Sequence, residues 1–105
     1  MDKNFIGDRI TDLRVKKNLT EKELSRALGR SPSYVQALTS HNSLPSFQTF
    51  FEICDFFQIT PSEFFDPSLK DPAFHHQITA YIQEMSEEDL IFCCELFKRM
   101  YSKQS

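Results

Sequence analysis

The sequence predicts an all-α fold, and three features of the chain support this prediction. Apolar residues recur three and four positions apart along most of the 105 residues, which is the spacing of one helix face. No long stretch alternates between apolar and polar residues, as a half-buried strand does. The chain holds only two glycines, whereas β-sandwiches and barrels need many tight turns. With 40% hydrophobic and 26% charged residues, we expect one globular unit with its own core.

The first helix is predicted over residues 5–17, because Ile6, Ile10 and Leu13 recur at helical spacing. Asn18 follows them, and asparagine tolerates the left-handed backbone conformation that commonly ends a helix. The pattern therefore predicts that the first helix stops at this asparagine.

Two short helices are predicted next, separated by Gly29. Thr20, with Glu23 three residues later, forms a capping-box pattern that opens the second helix, and the glycine ends it. Ser31 is predicted to cap a third helix over residues 32–39, with the proline in its first turn. The residues predicted to face inward from these two helices are Leu24, Ala27, Leu28, Val35 and Leu38. Helices this short are marginal alone, so neighbouring parts of the fold must hold them.

Two further helices complete the first part of the chain. Ser46 is predicted to cap a fourth helix, and the segment from Thr60 to Glu63 combines a cap, a proline and a capping-box glutamate that open a fifth. The apolar stripe predicted for the fourth helix consists of Phe47, Phe50, Cys54 and Phe57. Residues 66–72 contain two prolines and two aspartates, which predicts a break in the helical structure.

The last third of the chain is predicted to be a helical hairpin over residues 72–105, which a linker at residues 67–71 joins to a first domain at residues 1–66. Asp71 is the predicted cap of its first helix and Ser86 that of its second. The apolar faces are predicted from Phe74, Ile78, Tyr81, Ile82 and Met85, and from Leu90, Cys93, Cys94, Phe97, Met100 and Tyr101. Each arm of this tail therefore carries a wide apolar face.

Charge is distributed unevenly along the chain, whose formal net charge is −3. Between residues 14 and 41 there are six basic and two acidic residues, whereas from residue 71 onward there are six acidic and three basic residues. The basic surplus thus coincides with the two short helices, although the whole chain is acidic.

The three cysteines suggest neither a disulfide framework nor a metal site. Cys54 stands alone and Cys93 and Cys94 are adjacent, so no pairing pattern arises. A zinc site would also need one of the three histidines, and no two of these residues have finger-like spacing. We expect thiols that help to fill the core, with no metal and no cofactor.

No feature of the sequence points to a membrane. No apolar run reaches the roughly 20 residues of a membrane span, and the first residues lack the apolar stretch of a signal peptide. A cytoplasmic protein with no membrane partner is therefore expected.

The two short helices on either side of Gly29 indicate a helix-turn-helix, because a new cap follows the glycine almost at once. Residues 6–65 resemble the phage-repressor, Cro-like (XRE) family of DNA-binding domains. The landmarks that carry this resemblance are IGDRITDLR, LTEKELSRALG, SPSYVQAL, the Pro45-Ser46 entry to the fourth helix, and ITPSEFF. The resemblance implies a five-helix repressor-like helix-turn-helix domain, followed in this chain by the two-helix tail.

The resemblance also implies how DNA would be bound: the third helix enters the major groove and the second points its N-terminus at a phosphate. The positions that match base-contacting residues of the family are Pro32, Ser33, Gln36 and Ala37. The positions expected near backbone phosphates are Tyr34, Ser40 and Asn42, together with the basic residues Lys22, Arg26 and Arg30. Gln36 can pair with adenine through two hydrogen bonds, and Ala37 can pack on a thymine methyl group.

Three positions depart from the family pattern. Glu21 stands where the family usually has a glutamine that contacts phosphate, and a carboxylate there repels phosphate while it stabilises the helix. Thr39 replaces the family's usual glutamate, which predicts that the ion-pair partner of that glutamate, Arg14, is free for other contacts. His41 replaces a glycine with a left-handed backbone, which histidine adopts only at an energetic cost.

The last predicted helix is apolar on more than one stripe, so it must be covered on more than one side. Its two arms can pack on each other and on the first domain, or they can join two copies of the chain. By analogy with small repressors of the family, we hypothesise a homodimer through the tail. The expected interface residues are Leu90, Ile91, Cys94, Phe97 and Tyr101.

Three classes of function follow from these observations. The leading prediction is a sequence-specific transcriptional regulator, most simply a repressor, that binds double-stranded operator DNA as a homodimer. The alternative is a protein-interaction module such as an antitoxin or antirepressor with a protein partner, which Glu21 and the modest basic surplus favour. An enzyme is not expected, because the His75-His76 pair has no nucleophile, glycine-rich loop or carboxylate cluster near it in the sequence.

Overall fold

Seven helices form the part of the chain that the structure, a computed structural model, describes: residue 2 and residues 4–104. Their bounds are α1 Phe5–Lys16, α2 Glu21–Ala27, α3 Tyr34–Thr39, α4 Phe47–Phe57, α5 Pro61–Phe64, α6 Pro72–Glu84 and α7 Glu87–Gln104. No strand occurs among these residues, so the predicted all-α fold, with five helices followed by two, is confirmed.

Local capping residues set most of the helix ends. The Thr20 hydroxyl accepts a hydrogen bond from the Glu23 N–H at 3.0 Å, and Glu23 Oε1 accepts one from the Thr20 N–H at 2.9 Å. This closed capping box satisfies backbone donors near the start of α2. The same box recurs at Thr60 and Glu63, at the start of α5. The serine and aspartate caps predicted for α4, α6 and α7 are also present.

Left-handed residues end α1 and α2. Asn18, with a φ of 56°, follows α1 as predicted, and the Leu19 N–H beyond it donates to the Arg14 carbonyl at 3.1 Å. Gly29, with a φ of 71°, follows α2. Both residues therefore reverse the chain where the sequence indicated helix ends.

The start of α3 differs from the prediction by two residues. The helix begins at Tyr34 rather than at the proline, and Ser31 contributes its carbonyl oxygen to a turn by accepting the Tyr34 N–H at 3.0 Å. The buried Val35 N–H in the first turn of α3 donates to Ser25 Oγ on α2, at 3.0 Å. The cap of this helix therefore comes from the preceding helix and not from the chain just before it.

The first five helices, α1 through α5, share one apolar core. Its buried members are Ile10, Leu13, Leu24, Val35, Leu38, Phe50, Ile53, Cys54, Phe57, Ile59 and Phe64. The predicted burial of Leu24, Val35 and Leu38 is confirmed, and Leu28 is half-buried.

Two core positions predicted for the first domain are wrong, and so is the expectation that Cys94 helps to fill the core, because Cys94 is exposed. Ala27 is exposed, because the inward face of α2 is centred between Leu24 and Ser25, and Ala27 lies roughly 110° around the helix from that centre. Phe47 is 85% exposed, because it lies in the first turn of α4, on the edge of the stripe that Ile53 and Phe57 bury in the core.

Aromatic rings fill the contact between α1, α4 and α5. The ring centroids of Phe50 and Phe64 are 4.9 Å apart in an edge-to-face arrangement, and Phe65 stacks on Phe5 at 6.1 Å. Such pairs add to the energy of apolar burial. Four of the eleven phenylalanines of the chain therefore pack at this junction.

A buried arginine ties α1 to the segment that follows α5. Arg9 is 6% exposed and donates to the carbonyl oxygens of Phe64, at 2.8 Å, and Leu69, at 3.0 Å, as well as to that of Asp66. Its guanidinium also lies over the Phe5 ring, 5.5 Å from the centroid. These bonds compensate the cost of burying the charge. Residues 67–71, which the sequence predicts as a linker, thus run along α1.

The tail extends the molecule. The radius of gyration is 16.8 Å, against about 13 Å for a compact chain of this size, and the longest dimension is 49 Å. Met85 and Cys93 approach each other across the turn between α6 and α7, with their sulfur atoms 3.7 Å apart. The large apolar side chains of the tail that remain exposed are Phe74, Ile78, Tyr81, Ile82, Ile91, Phe92, Leu96, Phe97, Met100 and Tyr101. Among the described residues, no helix has both the length and the apolar character that a membrane span requires.

Candidate nucleic-acid interface

The α2–turn–α3 unit is locked by one buried serine. Ser25 is fully buried, its Oγ donates to the Glu21 carbonyl at 2.8 Å, and the same atom accepts the Val35 N–H at 3.0 Å. A single hydroxyl therefore bridges two helices and satisfies a backbone donor that has no partner within α3. This bridge fixes how α3 leaves the turn.

Four of the predicted DNA-contacting residues come together around one shallow depression, between the N-terminal ends of α2 and α3. Its lining consists of Lys22, Pro32, Ser33 and Gln36, with Glu21 beside them. Gln36 is exposed, whereas its neighbours Val35 and Leu38 are buried, so its amide is directed away from the core. An exposed amide and an exposed ammonium thus share one open surface.

The carboxylate of Glu21 is held within the protein. Its Oε1 lies 4.0 Å from Nη2 of Arg14, and its Oε2 accepts a hydrogen bond from the Thr39 hydroxyl at 3.2 Å. Arg14 Nη1 also donates to the Leu19 carbonyl at 2.8 Å. The prediction that Arg14 is free is therefore wrong, because a glutamate on α2 supplies the negative charge that position 39 lacks. The two side chains and Thr39 together brace α1, α2 and α3.

The guanidinium of Arg30 is directed toward α4. Its Nη2 donates to Thr49 Oγ1 at 2.7 Å and lies 3.4 Å from a carboxylate oxygen of Glu52, and the group lies 5.5 Å from the Tyr34 ring centroid. Both Arg30 and Glu52 are partly exposed, so their ion pair contributes little stability. It does compensate part of the positive charge that Arg30 offers to a phosphate.

The chain beyond α3 turns tightly against α1. The carbonyl of Ala37 accepts both the Asn42 N–H, at 3.1 Å, and the Ser40 hydroxyl, at 3.3 Å. Ala37 is half-buried, while Ser40 and Asn42 are exposed. The remaining two residues predicted to contact phosphates differ in exposure: Arg26 is exposed and Tyr34 is half-buried.

His41 has the left-handed backbone that the family pattern implies, with a φ of 67°. Its Nε2 lies 2.9 Å from Oδ1 of Asp8 on α1, an interaction that helps to hold this strained residue. Gly7 lies beneath it, where an added Cβ would come within 2.4 Å of the Leu38 carbonyl. The end of α3 therefore packs on the α1 backbone so closely that only glycine fits.

Sequence reasoning missed the residues that support this surface. In the sequence Ser25 resembles any polar residue of a short helix. The only sign that it is buried is its position directly after the inward-facing Leu24. Gly7 was one of only two glycines in the chain, and its position inside a predicted helix was the signal that something packs closely there.

With this geometry defined, comparison with known proteins gives one family. The family model described as Helix-turn-helix matches residues 10–64, just over half of the chain. The chain belongs to this helix-turn-helix family, and it is a DNA-binding transcription regulator of the XRE type. Comparison with curated proteins and with solved structures gives no significant match.

The family match covers α2 and α3 together with the core that holds them. Helix-turn-helix domains of this type are DNA-binding regulatory domains and are not typically enzymatic. The depression beside Gln36 accordingly lies on the part of the fold that the family presents to DNA. The residues after 64, which include the tail, lie outside the match.

Proposed function

We propose that this regulator is a repressor that binds operator DNA as a two-fold homodimer, with α3 of each copy in the major groove of one half-site. The observation that carries the proposal is the cluster of Lys22, Pro32, Ser33 and Gln36 around one open depression. A helix-turn-helix reads DNA with the exposed N-terminal part of its second helix. Gln36 lies in that part, Pro32 and Ser33 lie in the turn before it, and Lys22 lies beside them at the start of α2.

In this proposal Gln36 is the principal reader of bases. Its exposed amide carries a donor and an acceptor, which match the N6 and N7 positions of adenine. Pro32 and Ser33 flank it, and the half-buried Ala37 offers a methyl group to thymine.

The phosphate contacts are proposed to be unequal. Lys22 is exposed in the first turn of α2, where the positive end of the helix also attracts phosphate, and Arg26 is exposed in the last turn. Arg30 is partly compensated by Glu52, so we expect it to contribute less to the salt dependence of binding. Asn42, which is exposed, and the Tyr34 hydroxyl are available as neutral donors at the rim of the surface. Ser40 is exposed as well, and its hydroxyl would exchange its bond to the Ala37 carbonyl for one to a phosphate.

The tail is proposed to supply the dimer interface. In a single chain Ile91 is 59%, Phe97 48% and Tyr101 76% exposed, and Cys94 is exposed beside them, while Leu90 is half-buried. Large contiguous apolar surfaces of this kind mark interaction sites in soluble proteins. A second copy covers this surface and brings a second α3 to the DNA. The proposed location is the cytoplasm, where such a regulator meets its operator.

The proposal is tested by selecting bound sequences from random duplex DNA and then measuring affinities of variants. Gln36→Ala should lower affinity for the selected sequence and hardly affect unrelated DNA. Gln77→Ala, which removes an exposed amide from α6, is the matched control and should leave binding unchanged. Sedimentation of the protein alone tests the dimer, and a monomer at micromolar concentration would contradict that part of the proposal.

A second candidate function, a protein-interaction module such as an antitoxin or antirepressor, is favoured by one observation. An almost wholly apolar groove lies between α1, α4 and α5, lined by Ile6, Pro45, Phe47, Phe50, Phe51 and Phe65. Phe47→Ser at this groove should leave DNA selection unchanged if the protein is a repressor. If no DNA sequence is enriched by the parent protein, the interaction module becomes the better account.

A further inference from the structure

A carboxylate clamp joins the tail to the DNA-binding domain. We use this name for Glu63 on α5 with His75 and His76 on α6. His75 Nδ1 lies 2.8 Å from Glu63 Oε2, and His76 Nδ1 lies 2.8 Å from Glu63 Oε1. The Glu63 side chain is only 12% exposed. Both oxygens of one carboxylate are thus engaged by consecutive residues of the other helix.

The clamp holds without requiring charged histidines. A neutral imidazole that carries its proton on Nδ1 donates to a carboxylate as an imidazolium does. Glu63 Oε1 additionally accepts the Thr60 N–H at 2.9 Å. Burial raises the pKa of Glu63, but the hydrogen bonds from Thr60, His75 and His76 outweigh it and lower that pKa to about 2. The acceptor is therefore ionised throughout the neutral pH range.

One acidic and one basic side chain lie beside the clamp. Asp66, after α5, attracts His75, and its pKa is lowered chiefly by hydrogen bonds from Ser68 and further by the charges of His75 and Arg9. Arg9 on α1 is the basic group that faces Asp66. Glu63 thus binds both imidazoles, and Asp66 favours the docked position of His75.

The segment between α5 and α6 is also fastened. Arg9 holds the carbonyl oxygens of Phe64, Asp66 and Leu69, and Pro72 at the start of α6 is buried. Hinges are usually a few loop residues that are free to change φ and ψ. Here α1 is bonded to the loop at Asp66 and Leu69 and to the end of α5 at Phe64, and α6 is bonded to α5 by the clamp. Polar contacts, together with the packing of Pro72 and Ala73 against the core, therefore hold α6 in a fixed orientation relative to the domain that carries α3.

We infer that the carboxylate clamp determines which half-site spacing the protein accepts in an operator. The inference rests on the proposed dimer through the tail. In such a dimer the distance between the two α3 helices depends on the angle at which each tail leaves its domain. Helix-turn-helix dimers bind half-sites at a distance set by protein geometry, so a fixed angle selects one spacing. A loosened angle lets the same two domains reach several spacings.

The experiment compares the parent protein with H75A/H76A on a set of operators that differ only in half-site spacing. The double variant removes both donors and leaves the Thr60–Glu63 capping box intact. The parent should prefer one spacing by about tenfold or more, which corresponds to about 1.4 kcal/mol. The double variant should bind all spacings within about threefold of one another, with its affinity for a single half-site unchanged.

Two further variants separate positioning from general damage. H75N/H76N places an amide N–H near each lost Nδ1–H and should restore much of the spacing preference. Gln77→Ala alters an exposed residue of the same helix and should behave as the parent does. H75A alone leaves one bond of the clamp in place and should give an intermediate preference, so the inference remains testable if the double variant folds poorly.

The outcomes distinguish the inference from the proposal beneath it. A parent protein that sediments as a monomer refutes the tail dimer. A parent that dimerises but binds all spacings equally refutes the inference and leaves the dimer standing. The inference is refuted in the same way if H75A and H75A/H76A dimerise and keep the spacing preference of the parent.

Discussion

The hydroxyl of Ser25 should contribute measurably to stability, although it lies within a short helix. In Ser25→Ala the Val35 N–H loses its acceptor at a fully buried position, which costs about 1–3 kcal/mol. Alanine is the better helix former and returns about 0.5 kcal/mol. The net loss in the free energy of unfolding should therefore be about 0.5–2.5 kcal/mol.

Urea denaturation at a fixed protein concentration measures this loss, because association of the chain would otherwise change the result. A protein of this size has a denaturant slope of roughly 1–3 kcal/mol per molar urea, so the midpoint should fall by about 1 M. Ser33→Ala is the matched control, since Ser33 precedes α3, is exposed and makes no capping bond with its side chain. Equal losses in the two variants would refute the idea that Ser25 locks α2 to α3.

Four other changes test the remaining arguments. Gln36→Ala should weaken binding to the preferred operator by about 1–3 kcal/mol in a titration and leave unrelated DNA nearly unaffected, and a uniform loss would contradict base reading. Lys22→Ala should reduce the salt slope of DNA binding more than Arg30→Ala does, because Glu52 already compensates Arg30. Glu21→Gln should tighten DNA binding at low salt by removing a like charge near phosphate, and unchanged affinity would contradict this placement. The folded protein lowers the pKa of Glu63 from 4.5 to about 2, so the ionised carboxylate stabilises the fold fully above pH 4.5 and this stabilisation is lost as the pH falls toward 2. It should amount to at most about 3 kcal/mol. Acid denaturation of Glu63→Gln should lack this pH-dependent contribution.

The sequence predicts the features of this fold that are encoded by neighbouring residues. The Thr20–Glu23 box, the left-handed Asn18 and the Asp71 cap depend on residues within about one turn of each other, and each is present. The family landmarks likewise lie in fixed order along the chain. Helix number, fold class and family could therefore be predicted.

Features that depend on packing between distant residues could not be predicted. The start of α3 was placed two residues early because its cap is Ser25, ten residues before Val35 and on another helix. The sequence predicts a free Arg14 because the usual glutamate at position 39 is missing. Its actual partner is Glu21, and this pairing is visible only when α1, α2 and α3 are packed together. The identity of a residue says little about its partner when that partner lies across the core.

The same limit applies to the tail. The sequence shows His75 and His76 as an adjacent pair, but the capping-box pattern accounts for Glu63 and gives no sign that this residue also binds the two histidines. One carboxylate performs both roles because its two oxygens accept several hydrogen bonds in different directions. A residue with an evident local role, such as a helix cap, can therefore also bind residues far away in the sequence without any sign of this in the local pattern.

The three carbonyl bonds of Arg9 have a consequence for how the chain can be divided. A guanidinium that is almost fully buried needs all its acceptors, and one of them belongs to Leu69, beyond the predicted end of the first domain at residue 66. A fragment that stopped at Asp66 would retain the five helices of the repressor-like domain and still leave part of that charge without a partner. A fragment that ends at Leu69 is therefore expected to be more stable than one that ends at Asp66, because only the longer fragment supplies the third carbonyl oxygen to Arg9.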